Sequence, residues 1–130
     1  MNSDRSAWMM RFGYALTGVT ALFFTIDAGI KLLRLPEVLE TTSQLGWPAS
    51  SVVPLGIILL GATLLYVLRK TSILGAILLT GYLGGAVATH ARIDSPLLTH
   101  TLFGIYIGIM TWGGIYLRDP DLRSIFPCRR

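Results

Sequence analysis

The chain has one cysteine, two histidines and seven acidic residues in a length of 130. A lone Cys128 excludes an internal disulfide framework, and the absence of a CxxC pair excludes dithiol exchange through the chain's own thiols. Charged residues make up only 14%, against about a quarter in ordinary soluble domains. So few charges cannot coat a globule of this size, which argues against a free-standing soluble enzyme. Disorder is excluded from the opposite side, because 52% of the residues are apolar and cannot be left in water. There is no glycine-rich phosphate loop, no HExxH and no GxSxG. Bases outnumber acids eleven to seven, yet they stand in scattered pairs without interleaved aromatics. No nucleic acid partner follows from that pattern.

What is present is hydrocarbon, in long runs. Mean hydropathy is +0.61, and a bilayer core of about 30 Å is crossed by roughly 17–25 apolar residues. Four segments meet that requirement, at residues 9–33, 52–68, 73–90 and 96–117. Pro36 closes the first, Arg69-Lys70 the second, and Arg118-Asp119-Pro120 the fourth. Asp94-Ser95-Pro96 reads as an N-cap followed by proline at the start of the fourth. The second and third segments carry no charge, so no polar stripe of the kind a soluble helix shows is available. Arg5 and Arg11 before an apolar run resemble a signal peptide, but no small-x-small cleavage pattern follows, so the segment is expected to stay as a helix. The expected architecture is all-α: one domain over residues 1–130, an antiparallel up-down bundle of four transmembrane helices.

Orientation follows from the distribution of lysine and arginine. Eight bases (Arg5, Arg11, Arg69, Lys70, Arg118, Arg123, Arg129 and Arg130) fall on one side, and three (Lys31, Arg34 and Arg92) on the other. Both termini are therefore expected in the cytoplasm of a bacterial cell, with the chain multi-pass in the inner membrane. Residues 36–51 and 91–95 then form outer connections. Trp8, Trp47, Trp112, Tyr66 and Tyr116 lie near segment ends, where an aromatic belt would place them.

Close helix contact in lipid relies on small residues. Gly81-x-x-x-Gly85 in the third segment and Gly104-x-x-x-Gly108 in the fourth are the expected packing positions. Contact within one bundle is the first use of such pairs and a homo-oligomer face the second.

The polar residues are unevenly placed. Asp27 and Lys31 stand four apart on one helix face, in the favourable order for an ion pair. His90, Arg92, Asp94 and His100 flank the third connection. With the topology above, all six collect at the outer end. They are read either as ordinary interfacial residues or as the walls of a ligand pocket. Imidazole exchanges protons near neutral pH and hydrogen-bonds a ring ketone such as a quinone's. Two histidines without a third ligand at metal spacing make no metal site. Haem would need His90 and His100 to face one another across a cavity, and is not expected.

Two strings carry a family likeness. Residues 81–92, GYLGGAVATHAR, and residues 112–120, WGGIYLRDP, resemble the DoxX-like family of small four-helix bacterial membrane proteins. Gly29-Ile30-Lys31-Leu32 and Leu45-Gly46-Trp47-Pro48 add to it, so the likeness spans roughly residues 10–125. The resemblance implies quinone-linked redox chemistry at the membrane, with a membrane redox partner, since the family takes its name from a subunit associated with a thiosulfate:quinone oxidoreductase. It also implies an alternative, a non-enzymatic assembly or chaperone-like factor acting through glycine-rich helix faces. The family's THxR motif falls on Thr89, His90 and Arg92, and it assigns them no catalytic role. Whether the chain catalyses any reaction stays open at this level.

Overall fold

Apolar runs without an interior proline propagate as helix, and Pro54, in a first turn, costs no hydrogen bond. In the computed structural model, which describes residues 3–129, they do so in four long stretches, and two short helices are added. The elements are α1 (Ser3–Leu32), α2 (Pro36–Gln44), α3 (Val52–Val67), α4 (Ser72–Arg92), α5 (Phe103–Arg118) and α6 (Pro120–Ile125). Among the described residues there is no strand. Three helical stretches, Ser3–Leu32, Ala49–Val67 and Arg69–Arg92, are long and apolar enough to cross a membrane.

The count is six helices rather than four, and proline explains both additions. Pro36 ends nothing by itself: with its preset φ it opens α2 as a first-turn residue. The expected outer loop is thus half helix. Pro120 does the same for α6, where the Asp119 carboxylate accepts from the backbone N–H groups of Asp121 and Leu122. The fourth apolar segment also differs from expectation. It starts as a π turn over Leu97–Thr101 before α5 begins, and no side chain caps it. Asp94 sits instead in the preceding turn at a φ of +57°.

α1 packs against α3 and α5, and α4 against the same two helices. Each long helix contributes one narrow buried stripe. On α1 it is Gly13, Thr17, Thr20, Phe24 and Ala28, a spacing of three and four that keeps one face inward. Outside that stripe, large apolar side chains such as Val19, Leu22, Ile57, Ile58, Ile77 and Ile109 point away from the protein. A soluble helix would carry charge there. The shell is hydrocarbon because its solvent is hydrocarbon.

Of the four expected packing glycines, Gly104 is the one that makes a tight contact inside the chain. A Cβ at Gly81 or Gly85 would meet nothing within 4 Å, so this pair makes no close contact inside the chain. Gly104 does press on α4, with a Cβ there 2.9 Å from Val87 Cγ2 and 3.1 Å from the Leu83 carbonyl, whereas Gly108 is loosely neighboured by Leu83. Among the glycines of the long helices the tightest approaches are at Gly75 and Gly114, followed by Gly13 and Gly104. Gly75 lies against the Tyr66 backbone where α3 meets α4; where α1 meets α5, Gly13 lies against the Gly114 carbonyl and Gly114 against Thr17.

Tyr66 is also placed differently from an interfacial anchor. It is fully buried, and its hydroxyl donates to the Thr111 carbonyl at 2.7 Å. Beside it, Arg118 Nε donates to Thr17 Oγ1 at 3.1 Å and Nη2 to Ser72 Oγ at 3.2 Å, while its guanidinium covers the Tyr14 ring. One of the eight bases used for orientation is therefore also a clasp joining α1, α4 and α5. Arg130, another of the eight, lies outside the described residues.

Candidate functional site

The end of α4 meets the connection after α2 through two side chains. Arg92 Nη2 donates to the Leu45 carbonyl at 2.6 Å. That reach is open only because residue 46 is glycine: its φ is +85°, and a Cβ there would lie 2.6 Å from Arg92 Nη2. One turn earlier, Thr89 Oγ1 accepts from Trp47 Nε1 at 3.3 Å while donating to the Gly85 carbonyl at 2.8 Å. Gly46, Trp47, Gly85, Ala88, Thr89 and Arg92 together line a notch of about 450 Å³, within the range of small-molecule pockets. Among the described residues no carboxylate pairs with the Arg92 guanidinium, and the one ion pair is elsewhere.

The other predicted site residues form separate groups at the same end. Lys31 Nζ donates to Asp27 Oδ1 at 2.6 Å within α1. Arg34, past the end of α1 and at a φ of +53°, does not join them. His90 and His100 meet edge to face, their ring centres 5.8 Å apart. Nδ1 of His90 shares a hydrogen bond with Ser95 Oγ at 3.1 Å, and Nδ1 of His100 shares one with Thr99 Oγ1 at 2.8 Å. Asp94 is exposed on the turn between them. Of the six candidates only Arg92 lines the notch, so the expectation of one shared polar pocket gives way to three separate polar contacts. No group of three or more His, Cys, Asp or Glu side chains converges among the described residues.

A second concavity was not foreseen. Between α4 and α5 runs an open apolar groove of about 810 Å³, with Gly84, Gly104 and Gly108 among its lining and Ile105 and Ile109 beside them. Trp112 bridges the two helices within it: its Nε1 donates across to Thr80 Oγ1 at 2.7 Å, and its ring stacks on Phe126 at 5.4 Å. Ala88 lines both groove and notch, so the two meet along α4.

Residues 15–114 match the family model of the DoxX-like family. That match covers well over half of the chain. The chain belongs to the DoxX-like family. Together with the three membrane-capable helices, membership identifies it as a membrane-embedded protein of DoxX type. No curated protein and no solved structure gives a match. Within this DoxX-like chain the family motif is divided by the structure: Thr89 and Arg92 line the notch, while His90 turns to Ser95 and His100. Trp47, Thr89 and Gly46 were missed as site residues, although the spacing of Thr89 and Arg92, three apart, puts them on one helix face.

Proposed function

We propose that this DoxX-like protein is a multi-pass accessory of quinone-linked redox chemistry in the bacterial inner membrane. Four spans, α1, α3, α4 and the path from Leu97 through α5, form the bundle, with both termini cytoplasmic and the notch at the outer face. The notch holds a quinone ring. The observation that carries this is the Arg92 guanidinium, free of any carboxylate among the described residues and set in a notch walled by an indole at the end of an apolar helix. A guanidinium has five N–H donors and Leu45 takes one, which leaves donors for a ring carbonyl. The Trp47 ring offers a face for an offset stack. No catalytic residue is assigned.

The test is the small-molecule content of protein extracted in mild detergent, read by mass spectrometry. Wild-type protein is expected to retain quinone. Arg92→Gln should retain at least tenfold less, because the ring carbonyl loses its charged donor, and His90→Ala should retain as much as wild type. Equal quinone in Arg92→Gln and wild type would sink the proposal.

A second reading, an assembly partner or homo-oligomer, is favoured by the open face of Gly81, Gly84 and Gly85, where a Cβ meets nothing. The same preparation tests it. A membrane protein, or a second copy, that co-purifies with wild type and is lost from Gly81→Leu supports this reading.

A further inference from the structure

The groove between α4 and α5 is left unused by a ring held in the notch. Resting on that notch reading, we propose that the groove takes the hydrocarbon tail of the same molecule. The ligand class is then a long-tailed quinone, not a tail-less one.

Three observations support this. The groove and the notch share Ala88 as a wall, so a head against Arg92 lies directly beside the glycine-lined stretch. The groove runs beside α5 from Gly104 to Tyr116, about 18 Å at 1.5 Å per residue. That is slightly more than one leaflet of a core of about 30 Å. It also has a fixed aromatic wall, where Trp112 is tied to Thr80 and stacked on Phe126.

The size of the effect is bounded by the solvent. A tail moving from lipid into the groove exchanges hydrocarbon for hydrocarbon, so no hydrophobic gain accompanies it. What remains is the closer packing that the missing side chains at Gly84 and Gly108 permit. A preference of about tenfold for the tailed ligand is therefore expected.

Gly108 supplies a variant that fills the groove without disturbing the fold. A Cβ at Gly108 meets only Leu83 Cδ1, at 3.7 Å, an ordinary contact. Gly104 is unsuitable, because its Cβ would strike Val87 and the Leu83 carbonyl. The experiment titrates full-length protein in phosphatidylcholine nanodiscs with a methyl-naphthoquinone and with the same ring bearing a long isoprenoid tail, following tryptophan quenching. Wild type should bind the tailed quinone about tenfold more tightly. Gly108→Leu should abolish that preference while leaving the affinity for the tail-less ring unchanged, and Gly81→Leu, outside the groove, should behave as wild type.

Equal affinities in wild type, or a preference that survives Gly108→Leu, would overturn the proposal. So would a phospholipid that native mass spectrometry finds bound to wild type and absent from Gly108→Leu while quinone affinities stay equal. Arg92→Gln separates this inference from the reading beneath it. If the notch does not hold the ring, that variant changes neither affinity. If only the tail assignment is wrong, it weakens both quinones and Gly108→Leu weakens neither.

Discussion

Gly75 and Gly81 lie on the same helix, six positions apart, and a methyl group would be felt at only one of them. At Gly75 the new carbon would run into the Tyr66 and Leu65 backbone, which has no flexible end to move aside. At Gly81 it would project into open space. Two effects compete in a glycine-to-alanine change: better helix propensity, about 1 kcal/mol, and overpacking, about 1–3 kcal/mol in a tight contact. Gly75→Ala is therefore expected to lower stability and Gly81→Ala to leave it level or raise it slightly, as thermal unfolding in detergent would show. A search confined to paired glycines finds Gly104, which makes contact, and Gly81 and Gly85, which do not, and passes over other buried pairs. Those are mixed pairs of small residues four apart, Gly13 with Thr17 and Ser72 with Ala76, all of them buried. The spacing was legible in the sequence. The direction it faced was not.

At the scale of elements, what could be read was length, and what could not was rotation. The hydrophobic runs fixed where the long helices lie, because hydrocarbon thickness sets a minimum span. A helix apolar on every side carries no signal for which face turns inward, since only an amphipathic stripe supplies one. That is why Tyr66, placed by its position near a segment end, proved to be buried, and why five of the six polar residues at one end make three separate contacts while Asp94 stands exposed. The short helices were legible in principle, because Pro36 and Asp119-Pro120 are helix-start signals. The π turn over Leu97–Thr101 has no comparable sequence mark. α6 offers a test at this scale. Its six residues depend on the Asp119 cap, worth about 0.5–2 kcal/mol. Asp119→Ala should loosen α6 and release Phe126 from Trp112. Faster amide exchange at Asp121 and Leu122, together with altered Trp112 emission, is the expected result, and unchanged exchange would show that the cap does not hold α6.

For the whole molecule, the single cysteine becomes a reporter. Cys128 is exposed and lies next to the C-terminal arginines. If both termini face the cytoplasm, a membrane-impermeant maleimide should leave Cys128 unlabelled in intact cells and label it after lysis. Ser50→Cys, in the connection after α2, should already be labelled in intact cells. Labelling of Cys128 in intact spheroplasts would invert the orientation and move the notch to the inner face.

The interior between the long helices bears on the energetics of burial. Its buried side chains are hydrocarbon and hydroxyl: Phe24, Leu59, Leu79 and Ile115 beside Thr63 and Thr111. Those two hydroxyls are already spent on carbonyls of their own helices, at Leu59 and Ile107. Thr20 Oγ1 is the one buried side-chain oxygen without a partner among the described residues. Thr20 is therefore the place among the described residues where burial of a polar side chain in this hydrocarbon interior goes uncompensated.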